Sequence, residues 1–202
     1  MPEKQFNALD YSDPMVARIL DAGEQCIHRF GIRRTSVGEV ARVGKLSRGS
    51  IYRYFKDKES LIEGVFRRRQ EAFLNRTEAQ LEKEATLVDK LTHSVLSGRK
   101  DMHEGIFASL AEIEPETVAV MFMDPRFYQR SVSFWPPHVR MAQDAREIGA
   151  GVDVGVATDL IMRLVVSLVM FPHMGVELKT RRALRNYLQK VLNHGLGATQ
   201  PD

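Results

Sequence analysis

The stretch Thr35–Leu61, TSVGEVARVGKLSRGSIYRYFKDKESL, decides how this 202-residue chain is read. Ser36 followed by Glu39 is a capping box: the serine oxygen takes a free helix N–H, and the glutamate reaches back to the cap's own N–H. Val37, Val40 and Ala41 then share one face of a short helix. Gly44-Lys45 makes a turn. Ser47 is the next capping hydroxyl, and Ile51 and Phe55 supply a narrow apolar stripe after it. Asp57 opens a third helix, continued by Glu59, Leu61, Ile62 and Val65. Two short helices joined by a tight turn predict helix-turn-helix geometry.

Charge gives that geometry a purpose. Arg29 to Lys58 holds nine lysines and arginines against Glu39 and Asp57, a net +7, whereas the whole chain carries only +3. The asymmetry points to one face built for a polyanion, and a merely solvated basic surface is the plain alternative. In the second helix, Arg48 and Ser50 can reach base edges. Gly49 costs roughly 1 kcal/mol against alanine in a helix, which makes sense where a backbone must lie close to another surface. Tyr52 and Tyr54 carry hydroxyls able to donate to phosphates. Lys56 and Lys58 stand at the entry to the next helix, where cations and free N–H groups both suit a phosphate. Taken alone, Lys56 and Lys58 are ordinary surface lysines, and one of the tyrosines reads equally as packing.

Three blocks in this order carry a resemblance. Thr35–Ala41 fits T-[ST]-V-x-[DE]-[IV]-A, Ser47–Phe55 fits S-x-G-x-[IL]-Y-x-[YH]-F, and Lys58–Leu61 fits K-[ED]-x-L. Residues 13–66 resemble the DNA-binding domain of TetR-family transcriptional repressors. The resemblance implies an all-α homodimer: a three-helix DNA-binding domain with a helix-turn-helix, and a larger helical domain for a small-molecule inducer and dimerisation. It further implies that Ser36, Tyr52, Tyr54 and Lys58 touch phosphate, and that Arg48, Gly49, Ser50 and Arg53 line the groove. With Thr35, Lys45, Ser47 and Lys56 these make the expected DNA-binding set. The expected domains are residues 1–57 and 58–202.

One departure stands out. The family usually has Ala-Gly in the turn, where this chain has Gly44-Lys45. Either lysine takes positive φ at a cost of roughly 1 kcal/mol or more, or Gly44 shifts the turn by one residue. Lys45 could also add a phosphate contact.

The remaining sequence supports an all-helical layout. Ser12 or Asp13 caps a first helix with Pro14 at its first position, and Gly31 ends it. Residues 1–12 hold one lysine and no arginine, so no basic minor-groove arm is expected. A long helix runs to about Glu82, with Arg67, Arg68 and Arg69 as a solvated face or a junction cluster. Further helices are expected at about Thr86–Ser97, Met102–Ile113, Glu116–Met123, His138–Glu147, Val154–Phe171 and Thr180–His194, with Pro125 and Trp135-Pro136-Pro137 as punctuation. Cys26, at helical spacing with Gly23, Ile27 and Phe30, reads as a core thiol, and a lone cysteine suits a cytoplasmic protein. No signal peptide and no membrane span are expected.

Apolar stripes suggest the partners. Leu160, Leu164 and Leu168 form one, and Leu184, Leu188 and Val191 another; paired with symmetry mates they would make a four-helix dimer interface. Facing their own core is the plain alternative. Phe107, Met121, Phe122, Phe127, Phe134, Trp135 and Met162 are the candidate ligand-binding residues, because methionine and aromatic side chains adapt to an apolar inducer. Enzymatic signals fail: His103-Glu104 lacks the second histidine of a zinc-protease helix because position 107 is Phe107. No phosphate-binding loop or nucleophile elbow occurs, so neither a metal, a cofactor nor catalysis is expected. The sequence therefore predicts a ligand-released repressor on a palindromic duplex DNA site. A helical ligand-binding or interaction protein whose basic domain does not read DNA is the alternative.

Overall fold

The computed structural model describes residues 10–197, and among them every regular element is a helix. These are α1 Pro14–Arg34, α2 Val37–Gly44, α3 Arg48–Tyr52, α4 Lys58–Leu81, α5 Leu87–Met102, α6 Gly105–Ile113, α7 Pro115–Phe122, α8 Pro125–Val132, α9 Pro136–Asp144, α10 Val154–Met170 and α11 Arg181–Gly195. None of the described helices is long and apolar enough to cross a membrane. The reading of residues 1–12 as a non-basic arm falls largely outside the described residues.

The chain forms two compact units. One comprises the chain up to Phe73 together with Glu104–Met121; the other comprises Leu74–His103 and the chain from Phe122 on. These units cut the chain elsewhere than at 57/58: α4 is shared between them, and α6 belongs with the helix-turn-helix.

In the first unit, Asp13 caps α1 by accepting from the Met15 amide at 2.7 Å. Ile19, Leu20, Ile27, Val40, Ile51, Phe55, Leu61 and Val65 make its core, each almost fully buried. Gly23 lets α1 approach α4 closely, since a Cβ there would lie 2.9 Å from Val65 Cγ2. Gly31 takes φ 77° and ψ 174°, so α1 is kinked there and closes with one more turn at Arg34 rather than ending. The three arginines of α4 are not a solvated face. Arg68 pairs with Asp21 at 2.7 Å and Glu24 at 3.3 Å, Arg69 with Glu24 at 3.0 Å, and Arg67 Nε donates to the Tyr11 hydroxyl. Their side chains are mostly buried because they tie α4 to α1.

In the second unit, Leu81, Leu91, Val95, Trp135, Val139, Ile161, Leu184 and Leu188 belong to one core. Thr86, Asp153 and Thr180 cap α5, α10 and α11 with side-chain oxygens. Helix α8 was not expected: Pro125 reads as a breaker, but behind the capping Asp124 it occupies the first helical position.

Two sequence expectations change here. Leu168, Leu184 and Leu188 are buried within their own unit, so they have almost no surface to offer a partner. Of the expected stripe on α10, Leu160 stays exposed, beside Val156 and with Phe171 just past the helix end. Leu164 and Val191 are half-buried. The candidate ligand residues are divided too. Phe107, packed 6.0 Å from Phe66, and Met121 fall in the first unit; Phe122, Phe127, Phe134, Trp135 and Met162 fall in the second.

Candidate nucleic-acid interface

Helix α2 starts where Ser36 accepts the Glu39 amide at 3.2 Å. The other half of the expected capping box is not made. Glu39 instead takes two hydrogen bonds from Arg42, at 2.8 and 3.2 Å, because an arginine one turn along competes for the same carboxylate. Helix α3 starts the same way, Ser47 Oγ accepting from the Ser50 amide at 3.0 Å. At α4, Asp57 Oδ1 accepts the Ser60 amide at 2.7 Å while the Asp57 amide donates to Ser60 Oγ. The Ser60 backbone N–H, followed by its hydroxyl, holds the Asp57 carboxyl below the usual range.

The turn resolves in favour of a strained lysine. Lys45 sits at φ 52° and ψ 48°, in the left-handed region. Its amide bonds Arg42 O at 3.3 Å and the Leu46 amide bonds Ala41 O at 2.8 Å, which is a Schellman closure. Gly44 does not move the turn; it provides space. A Cβ there would lie 3.1 Å from Ala22 Cβ, so the glycine lets the end of α2 meet α1. Arg18 of α1 completes the arrangement, donating from Nε to Gly44 O at 2.9 Å and from Nη2 to Lys45 O at 3.3 Å.

These elements enclose an open groove of about 400 Å³ lined by Ser36, Val37, Gly38, Arg48, Tyr52, Lys56, Asp57 and Lys58. Five of the expected DNA-binding residues thus converge from the starts of α2 and α4 and from α3. Tyr52 is 53% exposed, leaving its hydroxyl available. The Lys58 ammonium donates to Arg33 O at 3.0 Å, and an ammonium retains two further donors. The Arg48 guanidinium lies over Gly38, where a Cβ would come within 2.7 Å of Nη2. Free N–H groups at the start of α2 and three cations, which outweigh the single carboxylate of Asp57, suit a phosphate oxygen.

Other expected residues lie outside the groove. Thr35 is a correction: it is 1% exposed, and its hydroxyl donates to Gly31 O at 2.7 Å, so it locks the corner instead of touching DNA. Ser47 and Ser50 share a hydroxyl–hydroxyl bond at 2.8 Å. Arg53 lies 5.3 Å from the Tyr54 ring centre, and Lys45 is exposed away from the groove. Gly49 has open space around it, a Cβ meeting only Ser47 Oγ at 3.8 Å, so nothing inside the protein requires glycine there. Gly38 went unnoticed in the sequence, although glycine in a first helical turn was a signal. Among the described residues no group of three or more His, Cys, Asp or Glu side chains could hold a metal ion.

Comparison with known proteins agrees with this geometry. Residues 19–65 match the family described as bacterial regulatory proteins, tetR family. The fatty acid metabolism regulator protein of Bacillus subtilis (strain 168) is 31% identical over 78 residues, 39% of this chain and 40% of that protein. The match therefore spans well under two thirds of that relative. Among solved structures, GusR of Salmonella enterica superposes with TM-score 0.64 at 24% identity, covering 94% of this chain and 99% of that one. The transcriptional regulator FadR from Bacillus subtilis in complex with stearoyl-CoA gives 0.60 at 21%, covering 89% and 98%. Residues 19–65, with the groove they form, are thus a DNA-binding domain of the kind described as bacterial regulatory proteins, tetR family, and the chain as a whole shares its helical fold with these regulator structures.

Proposed function

We propose that the protein is a ligand-responsive repressor that binds a palindromic operator as a homodimer and leaves it when a small apolar effector binds. The groove is the observation that carries this reading. It gathers Ser36, Arg48, Tyr52, Lys56 and Lys58 from the starts of α2 and α4 and from α3. In a dimer, two such faces would enter successive major grooves about 34–36 Å apart. Ser36, Tyr52, Lys56 and Lys58 fix register on phosphates; Arg48, next to exposed Gly49, reads a base edge. The Val156 and Leu160 surface of α10, with Phe171, supports self-association through the one stripe leucine that stays exposed, Leu160, and its neighbours. The stearoyl-CoA held by one structural neighbour supports an apolar effector, with Phe134, Trp135 and Met162 of the second unit as its candidate surroundings. A coupling of about 1–3 kcal/mol between effector and DNA suffices for release.

The test is fluorescence anisotropy with a duplex from the gene's own upstream region against a random duplex, across a salt series. Specific binding at least a thousandfold tighter, falling steeply with salt, is expected. Equal affinity for both duplexes would leave a helical protein that does not read DNA. Within the specific complex, Arg48→Ala relaxes preference at one base pair per half-site, by about 1–3 kcal/mol.

A further inference from the structure

Glu114 lies just past the end of α6, 81 residues beyond Arg33 in sequence, yet its side chain is only 4% exposed. Its carboxylate reaches the α1–α2 corner. Oε1 accepts the Arg33 backbone amide at 2.9 Å, Arg33 Nε stands 3.8 Å away, and Oε2 accepts from the Thr117 hydroxyl at 3.2 Å. The next carboxylate along, Glu116, pairs with the Arg33 guanidinium. The fit at the kink is tight: a Cβ on Gly31 would run into this carboxylate, its carbon lying 2.9 Å away. The other side of the same peptide segment faces the DNA groove, because Arg33 O accepts from the Lys58 ammonium at 3.0 Å. Arg33 is thus held by its N–H from the α6–α7 side and holds Lys58 by its carbonyl on the other.

We propose that Glu114 is a positioning residue for DNA binding: through Arg33 it sets the Lys58 ammonium and the Ser36 cap at the spacing a phosphate requires. A buried carboxylate is costly unless every lone pair has a use, and here a backbone amide, a hydroxyl and a guanidinium supply those uses. Withdrawing the carboxylate leaves the part-buried Arg33 amide without its acceptor, the corner relaxes, and Lys58 loses its carbonyl anchor. Segment Glu104–Met121 belongs to the first unit although the chain enters it from the second, across Gly105 at φ 60°. A displacement of that segment therefore reaches the groove through one side chain. This inference rests on the DNA-binding reading above.

The experiment measures the salt dependence of affinity for a random-sequence duplex, with circular dichroism melting for each variant. Lys58→Ala lowers the slope of log K against log salt by about one per protomer engaged. Glu114→Ala is expected to lose the same slope, and the double variant to lose no more than either single one. Glu114→Gln, which keeps an oxygen for the Arg33 amide, keeps the wild-type slope. Should Glu114→Ala fail to fold, Glu114→Asp, one methylene short of the corner, carries the same expectation. An unchanged slope in the folded Glu114 variants, or losses that add to that of Lys58→Ala, overturns the proposal while leaving the DNA reading intact. A wild-type protein with no salt-dependent duplex affinity overturns both.

Discussion

Helix α2 is bounded by two backbone bends with positive φ, and they are built in opposite ways. At the α1–α2 corner, glycine itself takes the unusual backbone, Gly31 at φ 77°, and a carboxylate from outside accepts a nearby amide. At the α2–α3 turn, lysine takes the unusual backbone, the adjacent glycine is used for room against Ala22, and a guanidinium from outside donates to two carbonyls. The clamps match the backbone's own polarity, since helix starts leave N–H groups over and helix ends leave carbonyls over. Both bends are thus held by tertiary contacts, which let the turn tolerate a residue that local propensity disfavours.

The largest expected effect falls on the corner. Gly31→Ala must place a Cβ at φ 77° and against Glu114, so unfolding free energy should drop by about 3 kcal/mol or more in urea titration. A loss under 1 kcal/mol would mean that the corner is as forgiving as the turn. Next comes Arg18→Ala, which removes two exposed hydrogen bonds; a stability loss of about 1 kcal/mol and weaker duplex binding are expected. The smallest effect is Lys45→Gly, which should raise stability by up to about 1 kcal/mol by relieving the left-handed lysine. Combining the last two sharpens the contrast: in the Lys45→Gly background, Arg18→Ala should cost measurably less, because the turn no longer needs support. Equal costs in both backgrounds would make Arg18 a bystander.

Which parts could be read in advance follows from the distance between cause and effect. Caps act within three residues, so Asp13, Ser36, Ser47, Thr86, Asp153 and Thr180 announce their helices in the sequence. Most of the converging groove residues were legible for the same reason: Ser36, Arg48, Lys56 and Lys58 sit at or near a helix start, whereas Tyr52 closes α3. Glu114 and Arg18 were not, because their partners lie 81 and 26 residues away along the chain. Thr35 misled because a hydroxyl before a helix looks available until the kink carbonyl beneath it is seen. The periodicity of Leu184 and Leu188 was plain, but an apolar stripe looks the same whether its own unit or a second chain covers it. Helix α8 hid behind Pro125, whose meaning reverses with the residue before it.

Arg18 also sets a boundary on portability. It stands one residue before the stretch 19–65 that matches the tetR-family domain, and Glu114 lies far beyond it. A chimera made by transplanting only the recognisable segment would import the left-handed lysine and the crowded Gly31 without the two side chains that hold them. The smallest transferable reading head of this protein is therefore discontinuous: it needs the first turns of α1 and the end of α6 as well as the motif itself.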